Sequence, residues 1–532
     1  MATHNHFILD RGTCLFSDGS PVIKLPAGST ERDHLALLGL LNSSTACFWM
    51  KQVFHNKGIR GQGGGLTVTD WEQFYEFDAT KAKLFPVVET RERATPYAAK
   101  LDELARTRSS RTIRNVLEEG KWRDAASLRR VLDDRHAADL ADLTMMVGLQ
   151  EELDWLCYAL YGLDDSNDAV APEAVEPCLP TWLPWNLRFA GKDTANRAAI
   201  ARGEEPDEQP TEWFSRHRWE ALANRPTEAS PALKKRIEAR QARTATTPAL
   251  ALIEAANFKR RWYMPEYAAE EQEALARWLA DLVEQAAKAR SDSFTLEHID
   301  ARLQDDLRVL AVCEGLTGRK DFSLSQIIAN TIQVDAVPSH RFHIYKAPGL
   351  VKREVWERTW ADQRREDAGE KVTAEVPPSY GTGDFLKPDY WRLRGKLDVP
   401  KERFIAFTEV PGRAGVETLY CWAGWTAQER LKAILRIDEE LEDASVPLVD
   451  RIGLLDSAWR LLPDVAIEDA AAATRLKAEL QALVGPEGPS RQLIEDWKKR
   501  FPPPTARATR PKRTAASREE DDDSEGEEIE AS

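Results

Sequence analysis

Cysteine is scarce, six residues in 532, and no two stand in a Cys-x-x-Cys spacing. That excludes a zinc ribbon or a disulfide framework and fits a reducing cytoplasm. Long apolar runs are missing too: none approaches the roughly 20 residues of a membrane span, so no membrane partner is expected. The opening Met1-Ala2-Thr3-His4-Asn5-His6 lacks the basic-then-apolar order of a signal peptide. The nine histidines are dispersed. His340 and His343 are close, but no third ligand accompanies them, so no metal site is expected. Walker, His-Glu-x-x-His and Gly-x-Ser-x-Gly strings are absent. So is the acidic cluster followed by Glu-x-Lys that a nuclease needs.

What the chain does have is apolar and aromatic bulk. Hydrophobic residues make up 42%, and there are 17 Trp. The length of 532 residues allows roughly three ordinary domains, and the tryptophans suggest helices packed through large rings. The net charge of -15 argues against nucleic acid at first sight. Nine acids and no base, however, crowd into residues 519–530. The mildly acidic remainder can bind DNA wherever its bases cluster.

The pattern predicts an α+β protein that is predominantly helical. Residues 1–95 read as a small mixed α/β region. In it Phe7-Ile8-Leu9 and Pro21 to Leu25 are short strands, Ser29-Thr30 a cap, and His34 to Leu41 a helix apolar nearly all round, hence buried. A polar loop, Lys51 to Arg60, merges with a flexible glycine loop, Gly58 to Gly65. Residues 96–163 read as a helical linker; Leu149, Leu153, Leu156 and Leu160 share a face, and Gly162 ends the helix. Residues 164–230, rich in Pro, Asp and Asn, read as a loop-rich connection, and 231–345 as helical. An extended stretch, Arg341 to Leu350, precedes a helix at Glu354 to Gln363 with Trp356 and Trp360 one turn apart. In the C-terminal α/β part, 346–505, Arg403 to Thr408 and Glu417 to Trp422 form a strand pair around a Pro-Gly turn. Amphipathic helices run on to Arg500, where Phe501-Pro502-Pro503-Pro504 stops the last. The tail, 506–532, is basic and then acidic, and is expected to be disordered.

Leu35 to Arg60, LALLGLLNSSTACFWMKQVFHNKGIR, is the most informative stretch. With it go His4-Asn5-His6-Phe7, Leu9-Asp10-Arg11-Gly12, Glu151 to Tyr158, Leu160 to Leu163 and Asn257-Phe258-Lys259-Arg260-Arg261-Trp262. Gln363 to Gly369 and Trp391 to Phe404 complete the set. Together they resemble the C-terminal, target-recognition and accessory portion of PglX-type adenine-specific DNA methyltransferases of BREX and phage-growth-limitation defence systems. Phe258 stands where that family has Tyr. The resemblance implies a bacterial cytoplasmic protein, double-stranded DNA as partner, and other BREX-type defence proteins as further partners.

The methyl-transferring half has no counterpart in these motifs. Adenine N6 methylation needs an Asn/Asp/Ser-Pro-Pro-aromatic turn that holds the flipped base. The nearest string, Val376-Pro377-Pro378-Ser379-Tyr380, has Val376 where a hydrogen-bond acceptor belongs and Ser379 where the ring belongs. Gly61-Gln62-Gly63-Gly64-Gly65 leads into strand-like Leu66 to Thr69 rather than opening a helix, so it is not read as a cofactor loop. The resemblance therefore implies no cofactor in this chain. S-adenosylmethionine is expected in a missing or separate N-terminal catalytic domain, in cis or in trans, and the chain alone is expected not to be catalytic.

Three basic sets are candidates for DNA contact. Lys51, Gln52, His55, Asn56, Lys57 and Arg60 offer the side chains that pair with base edges, on a loop whose glycines permit close approach. Lys259, Arg260 and Arg261 alternate with aromatics, a composition suited to phosphates and packing. Arg392, Arg394 and Lys396 form the third set. Plainer readings stand beside each: a polar surface loop, a solvated helix face, and salt bridges to Asp398 and Glu402. Asn42, Ser43 and Ser44 are expected to close a helix and hold a following strand. The alternative function is a protein-interaction scaffold of a defence complex with little DNA affinity.

Overall fold

The computed structural model describes residues 2–12, 16, 22–58, 70–166, 168–222, 226–410 and 418–503. It is the expected predominantly helical α+β fold, with one two-stranded and one three-stranded sheet. None of its described helices is long and apolar enough to cross a membrane. The chain forms two compact units: Met1–Trp122 with Ala126–Ala274, and Arg123–Ala125 with everything from Leu275 onward.

In the first unit, helix Glu31–Leu41 begins at a capping box. The Thr30 side chain accepts the Asp33 N–H, and the Asp33 carboxylate accepts the Thr30 N–H. Such a cap contributes about 1 kcal/mol. The next residues do not hold a strand, as expected, but start a second helix, Ser44–Val53, because Ser43 turns its hydroxyl back to the Ala46 N–H. The expected polar loop is likewise ordered structure. Lys51 to Val53 finish that helix, and β1 (His55–Gly58) pairs antiparallel with β2 (Phe74–Glu76). Ala2 joins the edge of this hairpin, exchanging backbone hydrogen bonds with Tyr75 at 3.1 and 2.9 Å. Arg60 and the glycines from Gly61 to Gly65 lie outside the described residues, as do Cys14 and the basic-then-acidic tail.

Neither Phe7–Leu9 nor Val22–Leu25 is a strand. The Asn42 side chain replaces the missing ladder at Phe7. Its Nδ2 donates to the Phe7 carbonyl and its Oδ1 accepts the Phe7 N–H, both at 3.0 Å. The spine of the unit is helix Ala125–Leu160, 36 residues long. Its Leu149, Leu153 and Leu156 meet Leu40, Leu41, Met50 and Tyr97 in one core, each leucine contributing roughly 1.5–3 kcal/mol. Gly162, at φ +67°, ends it. The 164–230 stretch, expected to be loop-rich, also holds helices Pro184–Ala201 and Trp213–His217. Pro184 starts the first of these, at a position where no N–H donor is required, rather than breaking it.

In the second unit, β3 (Ala336–Pro338) lies parallel to β4 (Phe404–Ala406), which pairs antiparallel with β5 (Tyr420–Trp422). The β4–β5 pair is the one expected; its Pro-Gly turn falls outside the described residues. Arg341 to Leu350 is not extended. A 3-10 turn at Arg341–His343 leads to helix Ala347–Asp367, which again begins with a proline in its first turn. Helices Ala427–Asp443, Leu448–Glu468 and Ala470–Val484 share a core with Ile405, Phe407, Leu419 and Cys421. Helix Arg491–Arg500 lays the fully buried Trp497 indole over Gly453.

Candidate nucleic-acid interface

The three consecutive bases Lys259, Arg260 and Arg261 have different environments. Lys259 turns inward and is 2% exposed. Its Nζ donates to Glu151 Oε2 at 2.9 Å and Glu254 Oε1 at 2.8 Å, and lies 2.9 Å from Asp154 Oδ2. Burial alone lowers a lysine's pKa, but these three carboxylates outweigh it and hold the ammonium well above its ordinary value. Around this knot Asp154 Oδ1 accepts the Ser44 N–H at 2.9 Å, and the Tyr158 hydroxyl donates to Glu254 Oε1 at 2.6 Å. Arg240 grips Glu152 through two bonds of 3.0 and 2.7 Å and covers the Trp155 ring. Burial pushes the Glu254 carboxyl upward, whereas Lys259 and Arg240 overcome burial at Glu151 and bring it down. The network joins the long helix to the Ser44–Val53 helix and to the turn after Ile253.

Lys51, the first candidate of the opening stretch, is also inside. Its Nζ donates to the Asn257 carbonyl at 2.6 Å and lies 5.3 Å from the Tyr75 ring and 5.8 Å from that of Phe258. Neither Lys51 nor Lys259 therefore offers its charge to a groove; both hold the surface in place. Local pattern does not show this, since the acceptor of Lys51 lies 206 positions away and Glu151, which Lys259 meets along with nearby Glu254, lies 108 away.

Arg260 and Arg261 are half-buried against tryptophan rings instead. The Arg260 guanidinium sits 5.3 Å from the Trp262 ring, and that of Arg261 lies 5.6 Å from both Trp71 and Trp213. Neither forms an ion pair with a carboxylate among the described residues; Asp154 and Glu72 act on them only from a distance. Burial pulls both guanidiniums below their usual range. The N-terminal segment adds two histidines that sequence reasoning passed over. Asn5 is pinned by its Nδ2 to the Leu41 carbonyl at 2.6 Å and to that of Ser43 at 3.2 Å. That anchor turns His4 into the protein and leaves His6 exposed. Burial, then Arg260 and Arg261, press His6 down to about 4.

Gln52, at the end of the second helix, and His55, Asn56 and Lys57 on the hairpin that follows are all exposed. The Asn56 amide bonds to Gln73, and Lys57 bridges to Glu76 at 2.9 Å, an exposed pair of small energetic value. The third set belongs to the other unit. Arg392 is exposed and bonds to the Val334 carbonyl and Asp335. Arg394 is committed to Glu402 at 2.5 Å and Asp398 at 3.5 Å, as its plainer reading had it. Lys396 is exposed. No group of three or more His, Cys, Asp or Glu suited to a metal occurs among the described residues.

Comparison with known proteins places this geometry in context. The model of a domain of unknown function, DUF7008, matches residues 146–504, from the buried acidic turns of the long helix onward. An adenine-specific methyltransferase PglX from Streptomyces coelicolor is 35% identical over 454 residues, covering 82% of this chain and 36% of that protein. The chain thus spans little more than a third of the length of this relative. No solved structure matches.

Proposed function

The chain belongs to the DUF7008 family, and from that premise we propose that it is the DNA-recognition and accessory part of a PglX-like, site-specific adenine DNA methyltransferase in bacterial anti-phage defence. One observation carries the reading. In a chain similar to an adenine-specific methyltransferase, two half-buried arginines without an acidic ion-pair partner among the described residues accompany an exposed polar segment. Arg260, Arg261 and Lys57 supply charge for phosphates, and Gln52, His55 and Asn56 supply donors and acceptors for base edges. Arg392 and Lys396, in the other unit, are proposed as a separate set of DNA contacts, and Arg60 is kept as a candidate from its place in the sequence.

In this proposal the cofactor S-adenosylmethionine and the turn that holds the flipped adenine belong to a catalytic domain acting in cis or in trans. This chain chooses and holds the duplex, and BREX-type defence proteins are its further partners. The test is methyl transfer to plasmid DNA by a PglX-type catalytic domain, with and without this chain. A shift in the methylated sites when the chain is present supports the reading. Unchanged site preference favours a protein-interaction scaffold instead.

A further inference from the structure

We propose that Tyr263 is a stacking platform for one unpaired nucleobase, its inner face held on a fixed column of rings and its outer face open to solvent. The inference rests on the DNA reading for its preferred source of the base, a DNA strand. It concerns a kind of contact that recognition of a paired duplex does not use.

The geometry has three parts. First, the ring is supported from below. His217 stacks on Tyr263 with centroids 4.6 Å apart and planes at 28°, and Trp213 stacks on His217 at 3.9 Å and 28°. Both supporting rings are buried. The His217 Nδ1–H donates to the Trp213 carbonyl at 2.7 Å, and burial keeps the imidazole neutral at pH 7, so the column is an uncharged aromatic one. Second, the chain on either side of Tyr263 is tied down. The Trp262 carbonyl accepts the Trp219 indole N–H at 2.8 Å, and the Met264 N–H donates to the His217 carbonyl at 3.0 Å. A ring fixed beforehand loses little freedom when a ligand stacks on it. Third, the ring is accessible. Tyr263 is 52% exposed although His217 covers one of its faces, so the opposite face meets solvent.

The surroundings select the occupant. The exposed residues Arg216, Arg218 and Glu266 flank the column in sequence. They are charged, whereas an apolar protein partner needs a contiguous apolar patch. Arg216 is neutralised by Glu72 at 2.5 Å and Arg218 by Glu266 at 2.6 Å. Arg261 is different: its guanidinium lies 5.6 Å from Trp213, at the foot of the column, and it has no carboxylate ion-pair partner among the described residues. A cation beside an open aromatic face suits a nucleic-acid strand, with the backbone charge on the arginine and the base on the ring. A paired base has both faces covered by its neighbours in the duplex. The platform therefore takes only a base that has left the stack, whether flipped out, facing a gap or in a single strand.

The experiment compares the full chain with Tyr263→Ala and Tyr263→Phe, their folding checked by circular dichroism. Four probes are used: a fully paired duplex, the same duplex with a fluorescent adenine analogue opposite an abasic site, a single strand carrying that analogue, and adenosine monophosphate. Affinity is read by anisotropy or calorimetry, and stacking by the fall in the analogue's emission. Wild type and Tyr263→Phe should bind both analogue-bearing DNAs and quench them. Tyr263→Ala should bind those two about tenfold more weakly without quenching, while all three proteins bind the paired duplex equally. Duplex binding with no effect of Tyr263→Ala on the unpaired probes overturns the platform and leaves the DNA reading intact. An equal loss in Tyr263→Phe and Tyr263→Ala also overturns it, because the ring would not be what binds. Tyr263-dependent binding of adenosine monophosphate without binding of any DNA keeps the platform, assigns it to a free nucleotide and removes the DNA reading. Binding of no probe overturns both.

Discussion

The Lys259 ammonium lies 2.9 Å from Asp154 Oδ2, and the other oxygen of that carboxylate accepts the Ser44 N–H. One aspartate on the long helix thereby fixes both the second helix, which leads into the hairpin, and the turn that presents Arg260 and Arg261. The relative placement of the proposed DNA contacts depends on a buried pair that touches no DNA.

Replacing Lys259 by Met should destabilise the first unit by about 3–5 kcal/mol, because three buried carboxylates lose their shared cation. Urea unfolding followed by circular dichroism checks this. A loss below about 1 kcal/mol would mean that these acids are protonated or hydrated in the folded protein.

Lys51 and Lys57 should separate cleanly. Lys51→Ala removes a buried donor from the Asn257 carbonyl and should cost about 1–3 kcal/mol of stability. Lys57→Ala, at an exposed pair, should leave stability within about 0.5 kcal/mol and lower the salt slope of duplex binding by about one unit. Thermal melts and salt titrations of the two variants decide it; equal melting temperatures would contradict the assignment of Lys51 to the interior.

Much of this organisation was legible in the chain. Thr30 and Asp33 announce the first helix, Gly162 ends the long one, and the β4–β5 pair follows from its alternating apolar residues. What was hidden depends on distant partners. Three adjacent bases look alike in sequence, yet one neutralises acids 108 positions upstream in the long helix. Phe7 has the composition of a strand but is satisfied by one amide, that of Asn42. β3 has only three residues, too few to show a period. Pro184 and Pro348 start helices inside stretches expected to be loop-rich and extended, because a helix start and a helix stop use the same residue.

In the second unit, burial raises the Glu409 carboxyl to about 7. Ser457 donates to its Oε1 at 3.0 Å, and this bond and Ser339 only partly offset the burial. Its unfolded value is about 4.3, so the folded state holds the extra proton between the two. Its contribution to stability is full at the acid end and is lost as pH rises through about 7. Glu409→Gln should therefore be more stable than wild type at about pH 8, by roughly 1–3 kcal/mol, and nearly equal to it near pH 4. Denaturation curves at the two pH values test this; a variant less stable at the higher pH would show a required carboxylate.

Gly453→Ala should destabilise the second unit by about 1–3 kcal/mol or more. An added Cβ would fall 2.2 Å from the Trp497 ring, which is fully buried and has no room to retreat. Guanidinium unfolding of variant and wild type provides the measurement, and an unchanged midpoint would show that helix Arg491–Arg500 is not docked.

DNA recognition is tested most directly by the salt dependence of duplex binding. Wild-type chain and an Arg260→Ala, Lys57→Ala double variant are titrated with a labelled duplex from low to physiological salt. The expected result is binding that weakens linearly on a log–log plot, with the variant's slope shallower by about two units, one per lost phosphate contact. Affinity independent of salt, or the same slope in a folded double variant, would contradict DNA recognition by this surface.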